Sequence, residues 1–169
     1  MTRNAAVSGA AQAFVEARRA RIASLLGRAL EPARRECEPL PADRLAFFRH
    51  EAEELYWNEL GWEELTDEEA IAGGHMTEMV FPAFLAFVQG LLNDREDGPL
   101  PPRPHPDAVE EILLFLGERH AACAAELEAG ADSQKLVWAR LMTSHLVDLV
   151  LYRLYRLSAA EQEYLESRR

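Results

Sequence analysis

Residues Ser133–Glu166, SQKLVWARLMTSHLVDLVLYRLYRLSAAEQEYLE, form the longest uninterrupted helical pattern in the chain. Ser133 or Asp132 caps its start, and the pattern predicts one long helix over 133–157. Ser158-Ala159-Ala160-Glu161 then reads as a capping box, in which a hydroxyl and a carboxylate each satisfy a backbone N–H that the first helical turn leaves unpaired. A short closing helix is expected over 158–167, ahead of the charged Ser167-Arg168-Arg169. A long apolar helix with a capped corner needs other helices to cover it, and the rest of the chain supplies them.

Upstream, almost every segment has helical period, and no convincing strand alternation occurs. A first helix is expected over 5–30, with Val7, Ala11, Phe14, Val15, Ile22, Leu25, Leu26 and Ala29 on one stripe and Pro32 ending it. The second spans 42–60, with Leu45, Phe48, Ala52, Leu55 and Tyr56 inward and Gly61 as its stop. A second capping box, Thr66 with Glu69, opens a short helix over 66–72 that Gly73-Gly74 closes. His75 to Leu92 is apolar on nearly every side, so 75–92 is predicted as the central, most buried helix. Pro82 should kink it or begin a fresh helix there. A stiff Pro-rich connection follows at 93–106, with five prolines between Pro99 and Pro106. Asp107 is expected to cap a helix over 108–129, with Val109, Ile112, Leu113, Leu116, Ala124 and Leu127 inward and Gly130 as its stop. The reading is an all-α, single-domain helical bundle of about five long and two short helices.

The chain has 169 residues, 49% hydrophobic and 28% charged, which suits one soluble domain with a sizeable core. Its net charge of −11 disfavours a general nucleic-acid-coating role. That charge is unevenly spread. Residues 1–35 carry seven Arg against Glu16 and Glu31, a net of +5, which leaves −16 for the remainder. Two readings stay open: the basic helix docks on the acidic body of its own chain, or it grips an acidic partner. Arg18, Arg19, Arg21 and Arg28 are the candidate contact residues in the second case. Cys37 and Cys123 lie in no CxxC spacing and read as free buried thiols of a reducing cytoplasm. No signal peptide is expected at the beginning of this sequence, and no run reaches the roughly 18 apolar residues of a membrane span.

Familiar catalytic patterns are missing from the sequence: there is no GxxxxGK[ST], no GxGxxG and no GxSxG. No cofactor is expected, and no enzymatic activity. His and carboxylate residues do fall at helical spacing, His75 with Glu78 and His145 with Asp148, each i, i+3. These four are the metal-ligand candidates, although a di-metal bundle uses Glu-x-x-His rather than this reversed order. The bland alternative pairs His145 with Asp148 in a hydrogen bond inside an apolar helix. Trp57 and Trp62 flank a helix end and are candidates for a partner surface, since Trp anchors many interfaces.

Val147 to Glu166, VDLVLYRLYRLSAAEQEYLE, resembles the short C-terminal helical signature of type IIG restriction–modification enzymes and related N6-adenine DNA methyltransferases. In that signature an Ile-Asp precedes Tyr-x-Leu-Tyr-Gly-Leu-Thr and a Glu-led helix. Val147 and Asp148 match the start, Tyr152, Leu154, Tyr155 and Leu157 keep the register, Ser158 replaces the capping Thr, and Glu161 and Glu166 fall in step. Arg156 stands where the family has Gly, and Gln162 where it has Ile. The family's Asn-Pro-Pro-aromatic and cofactor-binding Gly motifs are missing, so the resemblance implies no methyl transfer. It implies a small helical companion of a DNA-modification or phage-defence system. The function expected is a non-enzymatic interaction or accessory protein of the cytoplasm with a protein partner. The rivals are a His/carboxylate metal-binding bundle, and an acidic DNA mimic or a DNA-binding regulator acting through the basic helix.

Overall fold

The computed structural model describes residues 2–31, 39–61, 77–92 and 104–169. The described residues form helices and their connections, with no strand. The helices are α1 (Thr2–Leu26), α2 (Ala42–Leu60), α3 (Thr77–Val80), α4 (Pro82–Leu91), α5 (Pro106–Glu128), α6 (Gln134–Leu154) and α7 (Ala159–Glu166). None of them is long and apolar enough to cross a membrane. Trp62, the Thr66 capping box with its 66–72 helix, Gly73-Gly74, His75 and Cys37 lie outside the described residues, as do positions 93–103 of the Pro-rich connection.

Helix α5 is the axis of the bundle. It packs on α1, α2, α4 and α6, and its Val109, Ile112, Leu113 and Leu116 are buried as their spacing demands. Helix α1 runs antiparallel to it: Ala11 meets Gly117, while Arg19 reaches Glu110. A Cβ at Gly117 would sit 2.7 Å from the Ala11 carbonyl oxygen, so only glycine admits this approach. On α1, Ala11, Val15 and Ile22 are buried, and Phe14, Leu25 and Leu26 pack at the edge of the core.

Several boundaries differ from the sequence reading for local reasons. Helix α1 stops at Leu26 rather than near residue 30, because Gly27 takes φ 67 and its N–H, with that of Arg28, returns to the carbonyls of Ser24 and Ala23. Gly61 ends α2 in the same left-handed conformation, φ 58, as expected. Of the two outcomes expected at Pro82 within 75–92, the structure has the second, a fresh helix: α3 and α4 are separate. Phe81 leaves helical geometry at φ −118 and ψ 47, and Pro82 occupies the first turn of α4. The free N–H groups of that turn are capped from another element: Glu59 on α2 accepts from Ala83 and Phe84 at 2.8 and 2.6 Å. Asp107 is not the cap of α5. His105 holds that position, Pro106 follows, and Asp107 in the first turn accepts from the Leu40 backbone N–H at 2.6 Å, fastening the chain ahead of α2.

The most buried helix is α6, not the segment around α4. From Leu146 to Tyr152 every side chain is buried, whereas α4 exposes Pro82, Ala83, Ala86 and Gln89. Ser133 caps α6 by accepting from Leu136, and the Ser158–Glu161 capping box of α7 is complete. Between them α6 ends earlier than 157, at Leu154, in a Schellman turn. The Leu157 N–H bonds to the Tyr152 carbonyl and the Arg156 N–H to that of Arg153. Arg156, at φ 50, is the one non-Gly residue with positive φ among those described. A side chain there costs about 1–2 kcal/mol. Arg156→Gly should therefore stabilise the protein by about 1 kcal/mol, read as a higher denaturant midpoint at unchanged m.

Candidate functional site

The anomaly of the long helix is Asp148, a carboxylate with 0% exposure in an apolar run. A buried charge needs partners, and two arginines supply them. Arg18 on α1 donates from Nε to Oδ1 at 2.8 Å and from Nη2 to Oδ2, a bidentate clamp across 130 residues of sequence. Arg169, beyond α7, donates to Oδ2 as well. The hydrogen bonds that Arg18 donates to Asp148 raise the Arg18 pKa, outweighing the opposing effect of burial.

His145 does not pair with Asp148, although the two stand one turn apart. Its Nδ1 meets Thr77 Oγ1 on α3 and its Nε2 meets Glu166 Oε1 on α7, each at 2.8 Å. An ionised carboxylate only accepts, so Nε2 carries a proton. Thr77, itself buried, lies 3.3 Å from Met142 Sδ. The Tyr152 hydroxyl belongs to the same cluster; burial, then the charges of Asp148 and Glu166, raise its pKa.

Arg19 and Arg21 on α1, and Arg28 just past its end, also turn to their own chain. Arg19 bonds Glu110 at 2.8 Å and the Tyr155 hydroxyl at 2.6 Å. Burial opposes its charge, yet these partners raise its pKa. Arg21 donates to the Arg168 carbonyl and Arg28 to Glu161. The structure thus takes up the first of the two readings of the basic helix: it is docked on the acidic body. The same ties bind α7, which buries Leu165 alone.

Of the four metal-ligand candidates, the three described ones, Glu78, His145 and Asp148, form no metal-binding cluster. His75 is outside the described residues. Glu78 is exposed, on α3, near enough to Arg153 to favour that guanidinium's charge. His145 has both ring nitrogens engaged and Asp148 both oxygens. Among the described residues no group of three or more His, Cys, Asp or Glu could hold a metal ion. A cavity of about 330 Å³ opens between α1, α2 and α5, floored by Val15, Leu45 and Leu114. Its acidic rim is committed to structure: Asp107 to backbone N–H groups, Glu110 to Arg19, Glu111 to Arg49.

Among the described residues, one face of α2 carries exposed aromatic side chains. Phe47 is 49% exposed and Trp57 39%, with His50 and Glu54 between them as a 3.2 Å pair. Arg44 lies over the Phe47 ring at 5.3 Å, and Arg119 on α5 over Trp57 at 4.7 Å. Tyr56 meets Trp57 edge-on from below. Tyr56 itself is core: it bonds Thr143 at 2.8 Å, and burial pushes its pKa up to about 12. Trp138 is buried, so of the described tryptophans Trp57 alone reaches the surface to this extent. Phe47 was missed from sequence because its neighbour Phe48 claims the same apolar signal and goes inward.

Comparison with protein-family models, with curated proteins and with solved structures finds no match.

Two substitutions test the internal electrostatics. Asp148→Ala strands two guanidinium groups and should cost about 3–5 kcal/mol in denaturant unfolding. His120 is stacked on Phe14 at 3.8 Å, and burial, then Arg140 and Arg18, lower its pKa from 6.5 to about 4. Below pH 6.5 the unfolded chain takes a proton that the folded one refuses until about pH 4, so stability falls with falling pH across that window. His120→Phe keeps the ring stack and should remove about 2 kcal/mol of that acid loss, read from unfolding midpoints between the two pH values.

Proposed function

We propose that this chain is a non-catalytic helical interaction protein that presents the outer face of α2 to a protein partner. The carrying observation is the pair of exposed aromatic side chains, Phe47 and Trp57, on α2, a helix whose Ala52, Tyr56 and Leu60 are buried in the bundle. Ten residues of helix separate them by ~15 Å, a span suited to two pockets of one partner. Trp57 is held in place by Tyr56 and Arg119, so little rotamer freedom is lost when it is covered. His50 and Glu54 supply a polar strip between the two anchors.

The partner class follows from the resemblance of residues 147–166: a component of a DNA-modification or phage-defence system. The backbone supports that resemblance at its weakest position. Arg156 takes the left-handed conformation that the signature's Gly would supply. Direct nucleic-acid binding through α1 is the weaker reading, because Arg18, Arg19, Arg21 and Arg28 have partners within the chain.

Phe47→Ala combined with Trp57→Ala should cut capture of the partner from a cell extract at least tenfold while moving Tm by no more than about 3 °C. Undiminished capture by the stably folded double variant would contradict the proposal.

A further inference from the structure

We propose that α7 exchanges between two copies of this chain, with α6 and α7 straightened into one helix that lays each α7 in the other copy's groove. This inference does not rest on the α2 surface.

The hinge is the turn Tyr155-Arg156-Leu157-Ser158. It contains neither Gly nor Pro, so nothing in it forbids a continuous helix from Gln134 to Glu166. The turn instead holds Arg156 at φ 50, a left-handed conformation unfavourable to any residue with a Cβ. Straightening returns Arg156 to right-handed helical geometry and relieves that strain. In its place the closed form has the Ser158–Glu161 capping box, which the straight helix gives up. The hinge therefore carries two opposed local preferences of similar size.

The contacts that hold α7 are transferable. Its one buried side chain is Leu165. Its ties run from Glu161 to Arg28, from Glu166 to His145, from Arg168 to Arg21, and from Arg169 to Asp148. Every receiving residue lies on α1 or its end, or on α6, upstream of the hinge. A second copy offers the same groove with the same charges in the same places, so exchange preserves each contact. The cost of joining two chains is set against the strain relieved at two hinges.

Size-exclusion chromatography with light scattering decides it, on full-length protein equilibrated over a concentration series up to about 1 mM. The wild type is compared with Arg156→Gly and Ser158→Ala. Glycine relaxes the closed turn and weakens the straight helix, so R156G should raise the dimer dissociation constant at least about tenfold. Alanine removes the cap of the closed form and suits the straight helix, so S158A should lower it at least about tenfold. Both substitutions sit at the exposed corner and leave the core intact. A dimer of closed copies would not respond in these opposite directions. Dissociation constants within about twofold of one another, or S158A remaining monomeric throughout the series, would overturn the proposal.

Discussion

The bundle hangs on the charge of Asp148. Taking a carboxylate out of water costs several kcal/mol, and a lone one on an apolar helix would drive that helix to the surface. Here the bidentate guanidinium of Arg18 and a second one from Arg169 satisfy both oxygens. The clamp sets how α1 lies along α6 and where the segment after α7 ends. Hydrophobic contact alone is tolerant of sliding; a fork-shaped donor on a planar acceptor is not. The close approach of α1 to α5 at Gly117 agrees with that placement, since α1 is held at a fixed depth by both neighbours.

This accounts for the division of labour between the charged surfaces. Arg18, Arg19, Arg21 and Arg28, which on charge alone could have met nucleic acid, are matched to Asp148, Glu110, a backbone carbonyl and Glu161. Of the polar groups that sequence spacing offered as metal ligands, Asp148 is taken up by the two arginines and His145 by Thr77 and Glu166. Among the described residues, Phe47 and Trp57 are the two exposed large aromatic side chains that share one helix, α2.

Most of the fold could be read from local chemistry. The bounds of α2 follow from Pro41 before it and Gly61 after it, the capping box places α7, and Pro82 starts α4. Errors arose where the decisive interaction was distant or contrary to residue type. No local rule puts an arginine in the left-handed region, so the end of α6 was expected three residues late. The apolar run near α4 suggested a centre, yet the helix with Asp148 in it is more buried, because that charge is paired from elsewhere. Arg18 and Asp148 are separated by 130 residues, and no spacing connects them. Only the excess of positive charge in the first 35 residues against an acidic remainder hinted at the docking.

The claim that the basic helix is fastened to its own chain through Asp148 is tested most directly by a double-mutant cycle. Arg18→Ala, Asp148→Ala and the double variant would be compared with the wild type by denaturant unfolding. A coupling of about 2–3 kcal/mol between the two positions is the predicted result. A coupling within about 0.5 kcal/mol of zero would contradict it, and would return Arg18 to the list of residues available to a partner.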